Sequence, residues 1–163
     1  MPKRWRSFEI VAVSGNVAPV SVTIVRREWT ISSNIAHIEP LVSEVVSLCL
    51  AAGLSPRACR LNIPVAFTEA LSNAIVCGNN QDEKRSVTAK FALDAELLTL
   101  EVTDDGDGFD ASTVNFSPED GDWLVREDGR GLFLMRSLMD RVESQRPTKG
   151  RRGHTVRLVL KRA

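Results

Sequence analysis

Apolar residues recur along this chain with two different periods, and the switches between them mark out its elements. Residues 5 to 13 and 20 to 31 are rich in Val, Ile and Trp and flank the turn SGNVAP, which predicts two strands. From Ile35 to Ala52 the spacing becomes helical (Ile38, Leu41, Val42, Val45, Val46, Leu48, Cys49), with Ser32, Ser33 and Asn34 as cap candidates and Gly53 as a stop. Ser55-Pro56 opens a second helix that runs on through Leu61 to Gly78, and Pro64 is expected to kink or break it. Polar residues Asn79 to Arg85 read as a loop. Ser86 to Leu93 and Leu97 to Thr103 alternate as a strand pair joined by Asp94-Ala95-Glu96. A loop of Gly, Asp, Ser and Pro follows from Asp104 to Arg130, then a helical period over Leu132 to Val142 and a last strand over Thr155 to Lys161.

The second helix organises the rest. On a helical wheel Leu61, Phe67, Ala70, Leu71, Ala74 and Ile75 form one apolar arc, with Val65 and Val76 beyond its opposite edge. Between them runs a stripe of Glu69, Asn73 and Cys77 at i, i+4 spacing, which stacks side chains on one face. An acid and an amide then project together into an apolar setting. Taken alone, Glu-x-x-x-Asn is more often a solvated stripe.

Two glycine-containing stretches bracket the long loop: Asp104-Asp105-Gly106-Asp107-Gly108 directly after a strand, and Asp128-Gly129-Arg130-Gly131-Leu132 directly before a helix. Glycine lets backbone approach a ligand closely, and a helix N-terminus offers N–H groups to phosphate. Each alone reads more often as an ordinary turn or loop end. The chain has no GxxxxGK[ST] phosphate loop and no GxGxxG dinucleotide fingerprint, and the acidic run lacks the glutamate of a calcium loop. A loop this long in a compact domain is expected to be functional or mobile, here a lid over residues 111 to 128.

Composition narrows the setting. Twenty-one basic residues balance twenty-one acidic ones, so no global field favours nucleic acid or an anionic membrane as a direct partner. Cys49, Cys59 and Cys77 lack metal or CxxC spacing, which suits a reduced compartment. The N-terminus does not read as a signal peptide, and no stretch reads as a spanning helix of roughly 18 apolar residues, so a cytoplasmic protein is expected. The 163 residues are expected to form one domain.

Together, Glu69-x-x-x-Asn73 on a helix, Asp104-x-Gly106-x-Gly108 after a strand and Gly129-x-Gly131 before a helix are far more specific than any one of them. In that order and spacing they resemble the ATP-binding domain shared by gyrase, sensor histidine kinases and the mismatch-repair protein MutL. Within that superfamily FTEALSNAIVCGNN and GRGLFLMRSLMDRV look like the first and last motifs of bacterial anti-sigma-factor serine kinases. The resemblance covers roughly residues 20 to 161, and residues 1 to 19 look like an addition.

The resemblance implies an α/β fold, a two-layer sandwich with a mixed, mostly antiparallel sheet and helices on one face. It implies that Asn73 would ligand Mg²⁺ and that Glu69 would act as general base toward a protein serine. Asp104 would accept from the adenine amino group, Gly106 and Gly108 would leave room for the nucleotide, and Gly129, Arg130, Gly131 and Leu132 would wrap the phosphates. Cys77 stands where these kinases usually carry His; it either faces the phosphates or fills the edge of the site. His37 and His154 fall outside the motifs and are not expected to be catalytic.

The implied function is an ATP- and Mg²⁺-dependent protein serine kinase that phosphorylates a STAS-type anti-anti-sigma protein and sequesters a sigma factor, with a homodimer left open. A nucleotide-gated binding module without kinase activity is the alternative. The ATPase domain of a histidine kinase is a weaker one, because a phosphoacceptor helix pair is expected to need more chain.

Overall fold

The computed structural model describes residues 24–106, 127–145 and 152–162. Five strands form one sheet among these residues: β1 Val25–Ser32, β2 Ser86–Leu93, β3 Leu97–Asp104, β4 Arg141–Gln145 and β5 His154–Lys161. Their order is β1-β2-β3-β5-β4 and every neighbouring pair is antiparallel. The alternation in the sequence sets the faces. Val87, Ala89, Phe91 and Leu93 of β2 and Leu98, Leu100 and Val102 of β3 are buried on one side. On the other, Glu28, Lys90, Glu101, Arg157 and Glu143 stand in register and alternate in sign across all five strands. Arg157 Nε lies 3.0 Å from Glu101 Oε1 in that row.

Among the described residues three α-helices cover the apolar face: α1 Ile38–Ala51, α2 Ile63–Ser72 and α3 Glu127–Leu138. α2 lies centrally, packing against α1, α3, β3 and β5, and buries Ile63, Ala66, Phe67, Ala70 and Leu71. The result is a two-layer α/β sandwich, and among the described residues a buried apolar cluster runs through both layers.

The caps follow the sequence. Asn34 accepts from the N–H of Ala36 at 2.9 Å at the start of a 3₁₀ turn, Ile35–His37, that leads into α1. Gly53, at φ +76°, ends α1, with its own N–H on Leu50 and that of Leu54 on Cys49, both at 3.0 Å. This paired bonding of the last carbonyls is what a left-handed glycine makes available. Cys49 and Cys59 are buried. Burial, then the neighbouring Cys59, pushes the Cys49 thiol up to about 12, so it is an inert core group.

Four features differ from the sequence reading. Pro64 does not break its helix. The turn before it, Ala58–Asn62, widens into a π-turn in which Ile63 N–H bonds the carbonyl of Ala58 five residues back, and the helical run continues from Ala58 to Gly78. At 21 residues and mean hydropathy 1.2, that run is long and apolar enough to cross a membrane by length and composition, yet here it is the central helix of the sandwich. α3 begins at Glu127 and takes in Gly129, Arg130 and Gly131, where a loop end is expected, and it stops at Leu138 rather than Val142. Arg141–Gln145 is therefore strand β4, an edge strand. The predicted strand over 5 to 13, most of the lid and Gly108 lie outside the described residues.

Candidate functional site

The buried end of β3 and the C-terminal end of the α2 helical run meet to form a pocket. From Asn73 to Gly78 the helix widens again into a π-turn, closed by the N–H of Asn79 on the carbonyl of Ala74 at 2.9 Å. Such widened turns inside a helix gather at functional sites. The stripe read from the sequence divides here: Asn73 and Cys77 line the pocket, whereas Glu69 reaches the backbone of α3. A Cβ placed on Gly131 would lie 2.6 Å from Glu69 Oε2 and 3.6 Å from Asn73 Nδ2. A side chain at Gly131 would have to push that carboxylate aside.

The pocket is narrow, about 50 Å³, and mostly apolar, with Ala70, Ala74, Val102, Leu132, Met135 and Val156 on its walls. Asp104 lies at its floor, 3% exposed. Its Oδ1 accepts from the Gly106 N–H at 2.9 Å. Burial raises its pKa above the usual carboxylate value, opposed by the Gly106 N–H and then by His154. A carboxylate kept in such a place has a hydrogen-bonding task to perform.

Glycine is required around it by contact. A Cβ on Gly78 would sit 2.5 Å from the Asp104 carboxyl, and one on Gly106 would overlap the carbonyl of Gly78. The room that Gly106 leaves is thus taken first by main chain. Gly153, at φ +111°, donates to the Gly106 carbonyl at 2.7 Å, where a side chain would strike the carbonyl of Asp104.

The sequence reading brings Asn73, Cys77, Asp104 and Leu132 to one pocket, with Gly106 beside Asp104 and Gly131 against Glu69. Arg130 lies exposed on α3, and Gly129 lies in the same helix. Cys77 is exposed at the pocket mouth.

Three residues were not legible as site residues. Asn79, fully buried, donates to Ser33 Oγ at 2.7 Å and to the Ser86 carbonyl at 3.0 Å, and accepts from the Asp105 N–H at 2.9 Å. It ties the end of the α2 run to the end of β1, the start of β2 and the acidic turn after β3. His154, set aside in the sequence because it lies outside the motifs, is 6% exposed and lines the pocket with Ser144. The available signal was the strand pairing, since a residue opening the last strand falls opposite Asp104.

A family model described as the histidine kinase-like ATPase domain matches residues 31–160. The chain belongs to this family. The histidine kinase-like ATPase domain defined here is also similar to proteins named serine-protein kinase RsbW. It is 30% identical to that of Oceanobacillus iheyensis over 87 residues, covering 50% of this chain and 55% of the relative. Against that of Bacillus velezensis identity is 32% over 89 residues, covering 52% and 56%, and against that of Bacillus subtilis it is 30% over 89 residues with the same coverage. The chain thus spans about half the length of the curated relatives it matches.

Proposed function

We propose that this ATPase-family domain, a single unit over residues 1 to 163, binds ATP with Mg²⁺ in the cytoplasm and phosphorylates a serine of a small STAS-type anti-anti-sigma protein, while also capturing a sigma factor. The observation that carries the nucleotide reading is Asp104, a carboxylate buried at the floor of an apolar slot whose flanking Gly78 admits no side chain. An apolar slot with one acceptor at its end suits a flat base carrying an amino group. The names of the RsbW relatives support the kinase reading.

When bound, Mg-ATP supplies the phosphoryl group and the charge that neutralises its transfer. Asp104 accepts from the base amino group. Asn73 offers one amide oxygen, which fits an ion that keeps most of its waters and phosphate ligands; among the described residues no group of three or more His, Cys, Asp or Glu is gathered to hold a metal alone. Gly129, Arg130, Gly131 and Leu132 would wrap the phosphates, and Gly108 would leave room for the nucleotide. Glu69 takes the proton of the serine hydroxyl. Transfer of this kind asks chiefly for positioning and charge stabilisation.

A non-catalytic, nucleotide-gated binding module is the second reading. It is favoured by Cys77, a weak hydrogen-bond donor, at the pocket mouth. The deciding experiment incubates the pure protein and its variants with labelled ATP and STAS-type proteins encoded beside it. Glu69→Ala should keep ATP affinity and lose about 10²- to 10⁴-fold of the transfer rate. Asn73→Ala should lose Mg²⁺-dependent binding as well. Wild-type transfer by Glu69→Ala would sink the mechanism, and nucleotide and partner binding with no transfer by the wild type would select the second reading.

A further inference from the structure

Asp104 and His154 stand opposite each other in the β3–β5 register, both buried. The His154 ring has a polar contact at each nitrogen. Nε2 lies 2.6 Å from Ser144 Oγ on β4, and Nδ1 lies 4.0 Å from Asp104 Oδ2, beyond a hydrogen bond but within range of charge attraction. When protonated, the ring donates from Nε2 to the serine oxygen and carries its other hydrogen on Nδ1, the nitrogen facing the carboxylate. All three side chains line the pocket.

We propose that His154, held by Ser144, is a positioning residue for nucleotide choice: it keeps Asp104 a hydrogen-bond acceptor, so that the pocket takes a 6-amino purine over a 6-oxo purine. The proposal rests on the ATP-binding reading above. Its logic is one of donor and acceptor. An ionised Asp104 accepts from the amino group of adenine, whereas a protonated Asp104 presents a donor, which suits the carbonyl of a 6-oxo purine instead.

Burial drives the carboxyl toward the wrong form. The Gly106 N–H, the His154 imidazole and the His154 N–H oppose it in that order, and Asp105 adds to it. The other described elements around the pocket contribute little charge. α3 presents the apolar Leu132 and Met135, β4 the hydroxyl of Ser144, and the α2 run the Cys77 thiol, the Asn73 amide and the main chain of Gly78. The His154 ring is therefore the ionisable side chain placed to favour the carboxylate.

The test is calorimetric titration of the full chain with ATP and, separately, ITP, each with Mg²⁺, over a pH series. ITP is the simplest 6-oxo probe, because it lacks the 2-amino group of GTP and differs from ATP only at the six-position and in the hydrogen that the adjoining N1 then carries. The wild type should prefer ATP, and the preference should fall as acid protonates Asp104. His154→Gln should lower the ATP-to-ITP ratio at neutral pH by about tenfold, the effect of one mispaired buried polar group, and should move the midpoint of the fall to higher pH. Ser144→Ala should move it the same way by less.

An unmoved ratio and midpoint in folded His154→Gln would overturn the proposal while leaving ATP binding intact. A wild type that binds neither nucleotide would overturn both. Should His154→Gln not fold, carbon NMR titration of the ligand-free wild type decides. The Asp104 carboxyl and the His154 ring must titrate as a coupled pair, and independent titrations would overturn the proposal.

Discussion

Asp104 works against its own surroundings. Burial holds its pKa above the ordinary 3.8, so the folded protein keeps that proton to higher pH than the unfolded chain does. The stabilisation this gives is full below the unfolded value and is lost as pH rises through the folded value. Above that point the fold carries a buried charge that costs stability. Asp104→Asn removes the charge and retains an oxygen to accept from the Gly106 N–H. Its stability relative to the wild type should therefore rise in urea unfolding as pH climbs from the ordinary carboxylate value of 3.8, while its ATP affinity falls by about 1–3 kcal/mol. A stability difference that is flat with pH would mean that Asp104 ionises as freely in the fold as out of it.

Gly131 links the two helices of the site. In an exposed helix interior, Gly→Ala is worth up to about 1 kcal/mol of propensity, but here the new methyl would press on the carboxylate of Glu69. A glutamate end can swing aside cheaply, so Gly131→Ala should keep or raise the urea midpoint. Transfer to serine should nevertheless fall by about tenfold or more, because a displaced base loses its alignment. A variant that transfers at the wild-type rate would show that the Glu69 position seen beside α3 has no bearing on chemistry.

The same helix shows where the sequence was legible and where it was not. α1, β2, β3 and β5 were readable because each has a one-sided apolar period: Val87, Ala89, Phe91 and Leu93 bury, while Thr88, Lys90 and Ala92 face outward. The start of α3 was not, because Gly129 and Gly131 lower local helix propensity and only packing on α2 offsets them. β4 was hidden for the opposite reason. Arg141–Gln145 offers a single apolar residue, Val142, and is a strand because β5 pairs with it along its whole length. Edge strands of this short, charged kind give little periodic signal. The motif residues of the site were legible from their spacing, but His154 and Asn79 act through pairing and burial, which a linear pattern does not display.

At the scale of the whole molecule, the pocket is assembled from the α2 run, β3, α3, β4 and β5, with contributing residues running from Ala70 to Val156. A ligand held there touches both layers of the sandwich and elements distant in sequence, so it cannot bind a chain in which they have separated. Binding to the folded form alone stabilises it by about 2.7 kcal/mol when ligand stands at 100 times its dissociation constant. For a chain of 163 residues that is a rise of about 5 to 10 °C in melting temperature. ATP with Mg²⁺ should produce it in the wild type. GTP with Mg²⁺ should produce much less, since its six-position offers Asp104 an acceptor. ATP should lose most of its effect on Asn73→Ala, and on the wild type when EDTA removes the metal, whereas Glu69→Ala should melt with the full shift. Equal shifts from ATP and GTP would remove Asp104 from base recognition, and an undiminished shift in EDTA would remove Asn73 from its role as the magnesium ligand.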